Sequence, residues 1–145
     1  MDETSIYNYK FHTESLASSG QPTKDEIGII IKAEYNVVIN LGLHNSDYSI
    51  DNEASIFQEN NITYIHIPVI FEAPQTKDLD VFIKTLEKHK RNKVFIHCVA
   101  NKRVSVFIAL YRILTLGWEK EKAIKELHTV WLPNDAWQSF INDCS

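Results

Sequence analysis

Three short runs rich in β-branched residues constrain this chain more than anything else in it: "NVVINL" (36–41), "ITYIHIPV" (62–69, ending near Pro68) and "KVFIH" (93–97). Each is short enough to be a buried strand, and each leads through a turn or loop into a stretch with helical spacing of its apolar residues. Residues 52–60 place Ala54 and Phe57 inward, residues 76–90 carry Leu79, Phe82, Ile83 and Leu86, and Val104 to Leu116 is an unusually apolar helix closed by Gly117. Upstream, "KFHTESLASSGQPT" reads as one or two short edge strands closing at Gly20. A helix start follows, in which Thr23 and Glu26 have capping-box spacing behind Pro22, with Ile27, Ile30 and Ile31 inward and an end near Ala33. Glu119–Trp131 is a further amphipathic helix, and "NDAWQSFI" forms a last one after Pro133. Strands alternating with helices predict an α/β fold: a single domain over residues 1–145 with a mainly parallel central sheet flanked by helices.

A chain of 145 residues suffices for one such core. Fifteen Lys and Arg against nineteen Asp and Glu give a net charge of -4, so no general attraction to nucleic acid or anionic membrane is available, and any anion must be held by a local site. The first residues lack a basic and apolar leader pattern and no apolar stretch approaches a membrane span, so a cytoplasmic location is expected. Cys98 and Cys144 make neither a disulfide framework nor a CxxC pair. His12, His44, His66, His89 and His128 show no metal-ligand spacing. No metal and no cofactor are expected.

The junction "VFIHCVANKRVSVFIALYRI" (94–113) carries the chemistry. Open α/β sheets bind ligands beyond the carboxyl ends of their strands, where Cys98 falls. A strand passing through a tight loop into a helix aims backbone N–H groups and the positive end of the helix dipole at one point, which cradles an anion. Thiols in such surroundings ionise more readily than an ordinary cysteine, whose pKa is about 8.5. Arg103 adds a planar fork matched to two phosphoryl oxygens. The expected phosphate-binding residues are Cys98, Val99, Ala100, Asn101, Lys102, Arg103 and Val104. His97 orders the loop in support, and Ser105 is placed to hydrogen-bond the sulfur and ease its departure. Together these describe sulfur attack on phosphorus with a cysteinyl-phosphate intermediate.

"VFIHCVANKRVS" resembles the signature loop of the cysteine-dependent protein tyrosine phosphatases, H-C-x5-R-[ST] on a strand-loop-helix unit. With "SSGQPT" before a helix, then "VVINL" and "ITYIHIPV", the likeness is to the small bacterial dual-specificity-like branch, over about Ser18 to Leu127. It implies metal-independent phosphomonoester hydrolysis with Cys98 as nucleophile and Arg103 as phosphate clamp. The substrate would be phosphotyrosine or a small phosphoester. Here four residues separate Cys98 from Arg103, giving C-x4-R. Either Ser105 is in register and the arginine is displaced by one helical position, or Arg103 is in register and the loop is one residue short. Asn101 stands where the family usually has glycine, and asparagine is the residue that best tolerates a left-handed backbone.

The resemblance also calls for a general acid on the loop after the preceding strand, here "PVIFEAPQTKD". Glu72 is the first candidate and Asp78 the second, although Asp78 also suits the first turn of its helix. Gln21 either approaches the cradle or closes a turn. The depth of the cleft depends on residues 42–51 and 69–76. Two other functions fit the loop: a rhodanese-like sulfurtransferase, whose commonest cysteine loop has this shorter length, and a catalytically weak phosphate-binding module.

Overall fold

The strands alternate their side chains between two faces, and the core is divided accordingly. In the computed structural model, which describes residues 2–145, the strands are β1 (Lys10–Thr13), β2 (Leu16–Ser19), β3 (Val37–Asn40), β4 (Thr63–His66) and β5 (Val94–His97). The helices are α1 (Lys24–Lys32), α2 (Glu53–Glu59), α3 (Thr76–Lys88), α4 (Lys102–Leu114), α5 (Lys120–Leu127) and α6 (Asp135–Cys144). The sheet order is β1-β2-β5-β3-β4, with β1 antiparallel to β2 and every other pairing parallel.

Val37, Ile39, Val94 and Ile96 point to one face, where they pack with Leu79 and Phe82 of α3, Phe107 of α4, Leu127 of α5 and Trp137 of α6. Ala17, Val38 and Phe95 point to the other, against Ile27 and Ile30 of α1 and Phe57 of α2. The period of two along each strand thus makes two apolar layers, each covered by helices. This is the α/β architecture expected from the sequence. Helix α4 is buried from Arg103 to Arg112 and is apolar nearly all round, as a central helix must be.

Several boundaries differ from the sequence reading. Only β1 is an edge strand at that side, because β2 pairs with β5 on its far side. Helix α4 starts at Lys102 rather than Val104: Asn101, at φ 63°, reverses the chain directly ahead of it. Helix α5 stops at Leu127, well before Trp131, where the Thr129 hydroxyl donates to the Glu126 carbonyl (2.6 Å) and competes with continued helix. The capping box at α1 is present, with Glu26 N–H donating to Thr23 Oγ1 (3.2 Å) and Thr23 N–H to Glu26 Oε1 (2.9 Å). A 3-10 turn at Glu3–Ser5, capped by the Asp2 side chain, precedes the segments that the sequence pattern marks. Among the described residues, no helix is long and apolar enough to cross a membrane.

Candidate active site

Strand β5 ends at His97, and its central place between β2 and β3 carries Cys98 to the carboxyl edge of the parallel sheet. Four residues later the chain is already helical, so Arg103 stands in the first turn of α4, where helical N–H groups have no partner within the helix. A cleft of about 280 Å³ opens at this junction, lined by Cys98, Val99, Ala100, Lys102 and Arg103 from the loop and by Ser46, Tyr48 and Phe71 from two facing segments. The segments 42–51 and 69–76, expected to set its depth, therefore supply its walls.

Arg103 is 7% exposed; its Nη1 donates to the Val69 carbonyl (2.8 Å), and the centre of its guanidinium lies 5.9 Å from the Phe71 ring. One donor is thus used to aim the fork, and among the described residues the remaining donors of the guanidinium have no hydrogen-bond partner. Lys102 is exposed, with Nζ 5.3 Å from the Trp131 ring centre. Phe71 is itself anchored: the Trp137 indole N–H donates to its carbonyl (2.7 Å), and its ring packs on Trp131 and Trp137.

The loop is held from both sides. Gln21 N–H donates to Val99 O (2.9 Å), and Gly20 is bridged to Ala100. A Cβ on Gly20 would lie 2.6 Å from Val99 O, so this close approach requires glycine. Asn101 is fully buried in the left-handed region; its Nδ2 donates to Asn8 O (2.9 Å) and to Ser18 Oγ (3.0 Å). Ser18 Oγ also meets His12 Nε2 (2.7 Å), and Arg112 Nη2 donates to His12 Nδ1 (3.1 Å). That donation makes Nδ1 an acceptor and leaves the ring hydrogen on Nε2. Burial, with the charges of Arg112 and Lys10, pushes His12 down to about 3, so the ring is neutral.

Beneath Cys98, His97 is fully buried, and its Nε2 lies 2.7 Å from Glu53 Oε2. Gln21 Nε2 donates to the other carboxylate oxygen (2.8 Å), which decides its open placement: it reaches the loop through its backbone and Glu53 through its side chain. Burial alone would raise the Glu53 pKa, but the hydrogen bond and charge of His97, helped by Gln21 and Tyr64, outweigh it and hold the carboxyl below its ordinary value. Glu53 was missed in the sequence because it opens an ordinary amphipathic segment, and nothing local marks a carboxylate there as buried.

The expected site residues therefore divide. Cys98, Val99, Ala100, Lys102 and Arg103 share the cleft. Asn101 shapes it from behind with its side chain bonded to Asn8 and Ser18, and Val104 is buried in the core and does not line the cleft. Ser105 departs from expectation. Its hydroxyl donates to Lys102 O (2.7 Å) and accepts from the Trp131 indole N–H (3.1 Å), so its one hydrogen is committed to the helix turn and not to sulfur. Glu72 is exposed and follows Phe71 in the chain, and Asp78 lies in the first turn of α3; neither lines the cleft.

Cys98 and Arg103 share a cleft at the head of a buried helix on a mainly parallel sheet, and the family match together with the fold likenesses marks the chain as a small dual-specificity-like phosphatase. The chain belongs to the family of the DSP-PTPase phosphatase fused to NAD+ kinase, whose model matches residues 7–137. A DUF442 protein of Shewanella putrefaciens is 25% identical over 98% of this chain and 93% of its own, with a TM-score of 0.85. Tk-PTP in its active form is 19% identical over 94% of this chain and 95% of its own (TM-score 0.78). TpbA of P. aeruginosa, in complex with phosphotyrosine, is 17% identical over 97% of this chain and 85% of its own (TM-score 0.75). The latter two establish likeness of fold. No curated protein matches the chain. These likenesses favour a phosphatase over the sulfurtransferase alternative.

Proposed function

We propose that the protein hydrolyses a phosphomonoester through a cysteinyl-phosphate intermediate. The Cys98 sulfur attacks phosphorus, the ester P–O bond breaks, and the leaving oxygen takes a proton from a general acid. Water then cleaves the S–P bond, releasing inorganic phosphate and returning the sulfur. Charge on the equatorial oxygens is taken up by Arg103, by the backbone N–H groups from Val99 to Val104 and by the head of α4, with Lys102 adding positive charge at the rim. In this scheme no metal or cofactor takes part.

The observation that carries this reading is the shared lining of one open cleft by Cys98 and Arg103, with the arginine already aimed by its bond to Val69. The C-x4-R spacing suits such an arrangement because α4 begins immediately after Asn101, which keeps the guanidinium in the first turn. Glu72 is our assignment for the acid, on the ground that it directly follows the cleft-lining Phe71. The substrate is phosphotyrosine or a small phosphoester, a reading supported by the Pseudomonas neighbour's complex with phosphotyrosine. A cytoplasmic setting would keep the free thiols Cys98 and Cys144 reduced.

The test is hydrolysis of p-nitrophenyl phosphate across roughly pH 5 to 8 in the presence of a chelator. Wild-type release that is abolished in a folded Cys98→Ser variant supports the mechanism. Unchanged release in that variant removes it.

A further inference from the structure

Glu53 stands outside the cleft, yet its two carboxylate oxygens reach the chain on both sides of the cysteine. Oε2 meets the ring of His97, the residue immediately before Cys98 (2.7 Å). Oε1 accepts from the side chain of Gln21 (2.8 Å), whose backbone N–H holds the carbonyl of Val99, the residue immediately after Cys98 (2.9 Å). We propose that Glu53 is a positioning residue that braces the cysteine loop from both flanks and so fixes where the sulfur points. This rests on the phosphatase reading for its consequence in turnover, though not for its geometry.

The arrangement is too closed to be incidental. Glu53 is 4% exposed and His97 is fully buried, and a carboxylate is rarely buried unless paired. Accepting at Oε2 fixes a hydrogen on His97 Nε2, which leaves Nδ1 facing the Cys98 carbonyl at 3.4 Å. The ring is therefore held in one orientation directly beneath the cysteine. Glu53 also begins α2 directly after Asn52, at φ 64°, so the helix terminus that supplies it is fixed by its own turn. The groups that face Glu53 are His97 from β5, Tyr64 from β4 and Gln21 from the segment ahead of α1, with His66 at the end of β4 close enough to feel its charge. Tyr64 is further held by Asn40 Nδ2 (2.9 Å) and by His44 (3.1 Å), so the brace continues across the carboxyl edge of the sheet.

The experiment uses the full chain carrying Cys144→Ser, so that Cys98 is the one thiol. Glu53→Gln keeps the shape and removes the charge; Glu53→Asp keeps the charge but is too short to reach both partners. We expect kcat on p-nitrophenyl phosphate to fall about tenfold or more in both with KM within about twofold, together with a changed pH profile for alkylation of Cys98 by iodoacetamide. Alkylation needs no turnover. A wild type that hydrolyses nothing, with the profile still altered by Glu53→Gln, would sink the phosphatase reading and sustain the brace. Unaltered kcat and an unaltered alkylation profile in folded Glu53→Gln would overturn the brace. Should the Glu53 variants fail to fold, Gln21→Ala removes one arm alone. The same change at smaller size supports the proposal, and no change in either readout overturns it.

Discussion

Asn8 and Asn101 each hold the other's segment of chain: Asn8 Nδ2 donates to Ala100 O (3.0 Å), and Asn101 Nδ2 donates back to Asn8 O (2.9 Å), with both residues in the left-handed region (φ 52° and 63°). The N-terminal turn is thereby tied to the back of the cysteine loop. Asn101→Ala removes one half of this exchange and the bond to Ser18, and it places a poorly tolerated side chain at positive φ. We expect a loss of about 1–3 kcal/mol by chemical denaturation. Asn101→Gly, which accepts the backbone but not the bonds, should lose less.

Gly20→Ala introduces a Cβ only 2.6 Å from the Val99 carbonyl and 2.7 Å from the Tyr7 ring. The tyrosine can swing aside but the loop carbonyl cannot, so the loop itself must move. We expect kcat/KM on p-nitrophenyl phosphate to fall by about tenfold or more. A variant with unimpaired kcat/KM and a native melting temperature would show that the loop tolerates the displacement.

Arg103→Lys loses both the aiming bond to Val69 and the planar fork. Vanadate should bind at least about tenfold more weakly, equivalent to about 1.4 kcal/mol. Isothermal titration checks this, and retained affinity would mean that the backbone cradle alone binds the anion.

His12 gives a pH dependence whose sign is fixed. Its pKa falls from an ordinary 6.5 to about 3 on folding, so below 6.5 the unfolded chain takes up a proton that the folded chain refuses. Its contribution to stability is complete above about pH 6.5 and is lost progressively as the pH falls toward 3. Glu53, with its carboxyl held below 4.5, adds a loss of the same sign in a lower window. Urea midpoints measured from roughly pH 4 to 8 should decline across the histidine window, and His12→Gln should flatten that decline.

The strands and most helices were legible because β-branched runs and apolar spacing at three and four residues are local signals. Val37, Val38 and Ile39 declare a buried strand whatever surrounds them, and Thr23 with Glu26 declares a helix start. The junction of Cys98 and Arg103 was legible for a related reason, since strand, loop and helix are adjacent in sequence. Glu53 and Ser105 were not. Glu53 is made a site neighbour by contacts 44 and 32 residues away, to His97 and Gln21. The Ser105 hydroxyl is claimed by Lys102 inside its own helix turn and by Trp131, 26 residues on. Neither partner can be read from the spacing between a cysteine and an arginine.

The two walls of the cleft are built on different foundations. Phe71 is rooted in the core through Trp131 and Trp137, whereas Ser46 and Tyr48 sit on a turn that bonds largely to itself, through Ser49 Oγ to the carbonyls of His44 (2.8 Å) and Ser46 (2.7 Å). Tyr48 is 66% exposed. A substitution on the Phe71 jaw must be absorbed by the aromatic core, while one on the Tyr48 jaw disturbs little else. The tip of that turn, from Asn45 to Tyr48, is therefore where new substrate preferences can be acquired without eroding the scaffold, and a library built there should yield altered selectivity in molecules that still fold.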